Sequence, residues 1–322
     1  MPQMSNSDVR VVDPILTTYI RGYKNIGIVR AGNVLFPRAP IAKRGAKIIK
    51  FGKEAFRKYN TQRAPGTDIK VMQFGYAADT VSLTQHALKG LVPIEHMDEA
   101  GGVPGVNLAM TAVETPMDTI AREIEIEQAT IAQSTANYDT NHKLALTGTA
   151  RWDDYTNSNP GQDVDGAHEA IRASTGRKGN VMVVGPLVRR ALRRHPKILG
   201  HFYTGAPAGA QSVSDAQLAE YFDVKVIVSG DEIWLPETAL DTDDFTDVWG
   251  KNAILAFVPT VEGIGNIQVP SYGYTYYLNN YPIAEAPEWD KDKRSWLYPC
   301  LDEVKPVLTG MNAGFLFTTV IS

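Results

Sequence analysis

The sequence predicts a mixed α+β fold for this chain of 322 residues. Three observations predict it: an amphipathic helical stretch after Thr115, alternating helix and strand patterns from Asp163 to Ser229, and a strand-rich finish ending near Ile321. With 43% hydrophobic and 21% charged residues, the composition is that of a globular protein with an ordinary core. The length suits one large domain or two modest ones.

Residues 1–40 read as an extended arm with one short ordered segment. Asp13-Pro14 opens that segment, and Ile15, Leu16, Tyr19 and Ile20 carry helical spacing. Gly22, Gly27, Gly32, Pro37 and Pro40 exclude a long regular helix there. Residues 41–85 read as a long hairpin, with Ile41–Phe56 pairing Ile69–Leu83 across a linker that contains Ala64-Pro65-Gly66. A strand of about 15 residues spans roughly 50 Å, whereas a compact chain of this size has a radius of gyration of about 20 Å. Such a hairpin projects beyond its own domain, and a lone two-stranded ribbon is marginal in water, so it needs another molecule to lie against. Two shorter strands folded into the core are the alternative.

A helix is expected over 115–134. Thr115 is its N-cap, Pro116 its first residue, and Asp118 completes a Thr-x-x-Asp start. Met117, Ile120, Ala121, Ile124, Gln128 and Ile131 form its apolar stripe, with Glu123 and Glu127 opposite. Asn137–Pro160 is loop, apart from a short strand at Leu144–Leu146. Helices follow at Val164–Ser174 (stopped by Gly176), Pro186–Arg194 (ended or kinked by Pro196) and Ser214–Phe222. Strands are expected at Asn180–Val184, Val224–Ser229, Ile233–Leu235, Ala253–Val258, Tyr272–Leu278, Trp296–Cys300 and Gly314–Ile321.

The charge is unevenly spread. Residues 1–70 carry 14 Lys/Arg against 4 Asp/Glu, while residues 71–322 carry 18 against 32. A basic head on an acidic body binds nucleic acid or lies on a neighbouring copy's acidic body. The head's bases are interleaved with strand-forming apolar residues, which favours the second. Arg189, Arg190, Arg193 and Arg194 make a further basic face, read as a solvated face or a subunit contact.

No chemistry-bearing constellation emerges. His86, His96, His142, His168, His195 and His201 are scattered, and His195 and His201 flank a helix end, where exposure or a dipole interaction is expected. Asp231–Asp247 holds seven acids and no base but lacks a calcium-loop pattern, so a solvated hairpin tip is expected. Phosphate loops, dinucleotide fingerprints and Gly-x-Ser-x-Gly are missing. No catalytic, metal or cofactor site is expected, and a hydrolase or metal-dependent enzyme is disfavoured. Cys300 is the sole cysteine, which precludes an internal disulfide, and no apolar run suits a membrane span or a signal peptide.

Read in order, several segments resemble the major capsid proteins of tailed phages over nearly the whole chain. They are Asp13-Pro14-Ile15-Leu16-Thr17 through Gly22-Tyr23-Lys24-Asn25, Leu35-Phe36-Pro37, Ile49–Phe56, Arg63-Ala64-Pro65-Gly66 and Ala167–Gly176. Arg194–Leu199, Val248-Trp249-Gly250-Lys251 and Pro270–Thr275 complete the set. The resemblance implies the Hong Kong ninety-seven type capsid fold. Its parts would be an N-terminal arm (1–40), an extended β-hairpin loop (41–85) and a peripheral domain (86–179) with a spine helix at 115–134. An axial domain (180–270) and C-terminal strands returning to the peripheral domain (271–322) complete it. Implied with it are pentamers and hexamers closing into an icosahedral phage head around DNA, assembled in the host cytoplasm. A portal and possible decoration proteins are further implied partners. Some relatives carry an N-terminal scaffolding segment; this chain has no room for one before Asp13, so a separate scaffolding protein is expected. Some relatives crosslink a loop Lys to a neighbour's Asn. Lys43, Lys47, Lys50 and Lys53 lie in that region, but no matching Lys–Asn–Glu set is found. An encapsulin-like cargo compartment is the rival within the fold.

Overall fold

A computed structural model describes residues 12–22, 30–50, 62, 77–100, 107–203, 212–240, 242–259 and 271–322. The chain opens with α1 (Pro14–Gly22), α2 (Ala31–Leu35), β1 (Arg38–Ile41), β2 (Gly45–Lys50), β3 (Ala77–Ser82), β4 (Thr84–Pro93) and α3 (Ile94–Ala100). The long helix α4 (Leu108–Gln133) is followed by β5 (Lys143–Ala145), α5 (Pro160–Thr175) and β6 (Val181–Val184). Three short helices, α6 (Pro186–Arg193), α7 (Pro196–Phe202) and α8 (Asp215–Tyr221), lead to β7 (Val226–Ser229), β8 (Ile233–Trp234), β9 (Thr246–Asp247) and β10 (Ala253–Ala256). The last strands are β11 (Gly273–Leu278), β12 (Ile283–Ala284), β13 (Glu288–Asp290), β14 (Ser295–Leu308) and β15 (Gly314–Thr318).

Two sheets organise these elements. In the first, β14 is the hub: it pairs antiparallel with β11, β12, β13 and the whole of β4, and β1 adds parallel to β11. The apolar side of α4 lies across it, with Ile120 and Ile124 against Val304. The second sheet runs β5-β15-β10-β6-β7. Its central strands are buried on both faces, which explains why VMVV and AILA read as unbroken apolar runs. Met182, Val184, Leu255 and Phe317 point to a core shared with α5, α6, α7 and α8. Val181, Val183, Ile254 and Leu316 point to the opposite core, shared with α2 and the end of α4.

Several expectations change. The long helix starts at Leu108, with Asn107 Oδ1 accepting from Met110 N at 3.2 Å, so Thr115 is not its N-cap. Pro116 sits inside the helix, where its missing N–H frees the Ala112 carbonyl. Gly90 of β4 packs into that notch, since a Cβ there would lie 1.9 Å from Ala112 O. The strand expected at Trp296–Cys300 runs from Ser295 to Leu308, and β4, α2, α3, β1, β12 and β13 were not foreseen. Pro196 begins α7 as its first residue. The strands expected over 271–322 divide: β11 to β14 join the first sheet, but β15 joins the second beside β10. The second sheet also takes β5, from well before residue 180. Chain order and sheet membership differ because a strand's partners are set by which faces need covering.

Of the long hairpin, β2 and β3 pair antiparallel from Gly45↔Ser82 to Lys50↔Ala77. The expected strand halves Phe51–Phe56 and Ile69–Tyr76, the linker 57–68 and Lys53 lie outside the described residues, Gln62 apart.

Candidate subunit interface

The root of the arm is bound to the chain's own body. Asp13 Oδ1 caps α1 by accepting from Ile15 N and Leu16 N at 2.9 and 3.0 Å. Thr17 Oγ1 donates to Ala284 O and accepts from Ala284 N, and Ile20 is buried beside Val113. Residues 31–36 are held by polar groups of α4. Glu125 Oε1 accepts from Gly32 N at 2.8 Å and from Trp249 Nε1 at 2.7 Å. Gln128 Nε2 donates to Thr275 Oγ1 at 2.8 Å, and that hydroxyl donates to Phe36 O at 3.1 Å. Burial raises the Glu125 carboxyl pKa above the usual range.

The hairpin leaves from a small apolar seat in which Ala39 and Val81 pack on Tyr274 and Tyr276. Beyond it, β2 and β3 pair with no third strand among the described residues. At the seat Arg44 grips the buried Glu303 through two hydrogen bonds of 2.8 and 2.6 Å. Arg38 pairs with Asp302 at 2.5 Å, and Arg30 with Asp118 at 3.3 Å. Three arginines of the basic head are therefore neutralised within their own chain, so these three do not face a neighbour. The reason is desolvation: Asp302 and Glu303 are each 2% exposed and require a partner close by. Lys43 remains exposed.

The arginine face of α6 splits in two. Arg189 makes a bidentate pair with Asp215 at 2.9 and 2.5 Å, which lowers the Asp215 pKa, and Arg193 Nε donates to Val213 O at 2.8 Å. Arg190 and Arg194 are exposed beside a hollow of about 170 Å³. The acidic segment does form a hairpin, β8–β9, but Glu232 at its root is buried against Arg122 at 2.7 Å and not solvated. Leu240 and Phe245 at its tip are 69% and 65% exposed, a feature not anticipated from its acidity.

His195 is not exposed, and it lies at the N-terminus of α7. It is fully buried, its Nδ1 accepts from Lys197 N at 3.3 Å to cap α7, and its Nε2 lies 3.0 Å from Ser158 Oγ. Burial, and then the Lys197 charge, lowers its pKa to about 4. His142 and His168 are also buried, bonded to Asp139 and Ser174 and to Phe222 O, respectively. Among the described residues no group of three His, Cys, Asp or Glu could hold a metal. No described helix is long and apolar enough to cross a membrane. Burial pushes the Cys300 thiol up to about 12, where it is not nucleophilic.

The described residues present a two-stranded ribbon and charged faces, and comparison with known proteins supplies the family. The family described as Phage major capsid protein E matches residues 125–296. The major capsid protein of Burkholderia phage BcepMu is 32% identical over 319 residues, covering 98% of each chain. The chain belongs to the phage major capsid protein family. This capsid protein is a structural component of the phage particle, not an enzyme. A crystal structure of a phage-related protein from Bordetella bronchiseptica RB50 superposes with a TM-score of 0.75 at 39% identity, covering 96% of this chain and 97% of that one. The capsid protein's mixed fold, of the Hong Kong ninety-seven type, recurs in the cyanophage P-SCSP1u capsid. That match has a TM-score of 0.56 at 10% identity and covers 88% of this chain and 86% of that one. An encapsulin from Synechococcus elongatus PCC 7942 reaches 0.55 at 11% identity, covering 96% and 95%. At such identities only the fold is shared, so encapsulin-like cargo storage gains nothing from the match.

Proposed function

We propose that copies of this chain assemble as pentamers and hexamers into an icosahedral head that encloses phage DNA, with the β2–β3 ribbon lying across an adjacent subunit. The observation that carries this is the ribbon itself: two strands leave the body with no third strand beside them among the described residues, and such a ribbon is marginal unless it packs on something else. In this account residues 1–40 form the arm and 41–85 the extended loop. The peripheral domain is the first sheet with α4 as its spine, and the axial domain is the second sheet with α5 to α8. Apolar burial, at about 25 cal/mol per Å², supplies most of the cohesion. An exposed ion pair adds about 0–1 kcal/mol, and many weak contacts gain strength through closure. A separate scaffolding protein, a portal, possible decoration proteins and nonspecifically bound DNA are the further partners. Assembly takes place in the host cytoplasm.

Sedimentation and negative-stain microscopy of the expressed chain, alone and with a candidate scaffold, test this. Closed particles of uniform size that package DNA are the expected result. A chain that stays monomeric under all these conditions would overturn it, and particles filled with a protein cargo would favour an encapsulin.

A further inference from the structure

Two surfaces of opposite character remain unused by the fold. On α6, Leu187 and Arg190 share one face at i, i+3 spacing, Arg194 follows as the residue that caps the helix's C-terminus, and all three are exposed. Their neighbours Arg189 and Arg193 are tied to Asp215 and to Val213 O. Among the described residues the side chains of Arg190 and Arg194 make no hydrogen bond or ion pair; the Arg194 backbone N–H donates to Ala191 O. The β8–β9 hairpin is the mirror case. Leu240 and Phe245 project at its tip beside the exposed acids Glu237, Asp243 and Asp244. No Lys or Arg occurs between Lys225 and Lys251 to neutralise them. Its root is fixed by the ion pair of Arg122 with the buried Glu232, so the tip is presented on an anchored base.

We infer that the Leu187/Arg190/Arg194 face of α6 in one copy receives the acidic, apolar-tipped β8–β9 hairpin of the next copy in a ring. The inference rests on the shell assembly proposed above and names the surfaces through which neighbours within one ring meet. One surface is basic and the other acidic, so neither suits a second copy of itself. A contact between unlike patches is head-to-tail, and head-to-tail contacts form rings when the rotation between copies closes, as the five- and six-membered assemblies proposed above require. Apolar residues on both sides, Leu187 against Leu240 and Phe245, supply area that leaves water, while the charges select the partner and the register. DNA would satisfy the arginines but has no use for the exposed leucines and phenylalanine, and the hairpin's acids would repel it.

The test uses the full chain under conditions in which the parent assembles. Arg190→Glu/Arg194→Glu and, separately, Asp243→Lys/Asp244→Lys should each lower the particle yield by about tenfold or more, because every ring contact becomes a like-charge one. Combining all four substitutions restores opposite charges and should restore particles. As a second measurement, Leu187→Cys/Phe245→Cys should give a ladder of disulfide-linked chains ending at five and six under mild oxidation. Wild-type yields from both charge variants, loss that the fourfold variant does not repair, or no such ladder would each overturn the contact while leaving shell assembly intact. A parent chain that never assembles would instead overturn the assembly proposal itself.

Discussion

Replacing Glu125 with Ala should strip the clasp that holds the arm on the long helix. Glu125 is 1% exposed, and its Oε1 is the acceptor for two buried donors, Gly32 N and Trp249 Nε1. An unpaired buried donor costs about 1–3 kcal/mol, so losing the acceptor for both costs about 2–6 kcal/mol. Glu125→Gln keeps an acceptor oxygen in place and removes a carboxylate that burial disfavours, so it should stay within about 1 kcal/mol of the parent. The sign of the pH dependence follows from the raised pKa. The folded state holds its proton to higher pH than the unfolded chain, so this group's contribution is complete at low pH. It then declines as pH rises through the folded pKa. Glu125→Gln, which cannot ionise, should lack that decline. Urea unfolding of the unassembled chain, followed by tryptophan fluorescence at several pH values, measures all three. The reasoning fails if Glu125→Ala is as stable as the parent, or if Glu125→Gln is as damaging as Glu125→Ala.

Acid should weaken the corner between α6 and α7. His195 takes up its proton near pH 4 in the fold but near 6.5 when unfolded, so stability should fall by about 3 kcal/mol as pH drops from 6.5 to 4. His195→Gln should flatten that slope in urea titrations. Gly90→Ala forces a Cβ to within 1.9 Å of Ala112 O and should cost about 1–3 kcal/mol in thermal unfolding; an unchanged melting temperature would refute the notch. Arg44→Ala removes the two hydrogen bonds that Arg44 makes to the buried Glu303 carboxylate. It should cost about 1–3 kcal/mol, part of it recovered by adding Glu303→Gln.

Where local physics decides, the sequence was sufficient. Gly176 ends α5 in the left-handed conformation, with φ 70°, and only glycine adopts it freely. Ser214 and Gln217 form the reciprocal capping box that opens α8. The unbroken apolar runs at 181–184 and 253–256 are the doubly covered strands. Where distant partners decide, it was not. Pro116 looks like a helix start because nothing nearby reveals that Gly90 accommodates the freed carbonyl. No apolar alternation marks β4, whose strand character comes from ten residues paired along β14. The charge imbalance between head and body was plain. Its local resolution was not, because Arg38 and Arg44 find Asp302 and Glu303 more than 250 residues away. Glu125 gave no signal, being one acid among several in a helix whose exposed side is also acidic.

Cryo-electron microscopy of particles built from this chain tests the central claim most directly. Closed shells are predicted in which residues 45–50 and 77–82 lie against the body of an adjacent copy. Shells in which that ribbon touches only its own chain would contradict the account.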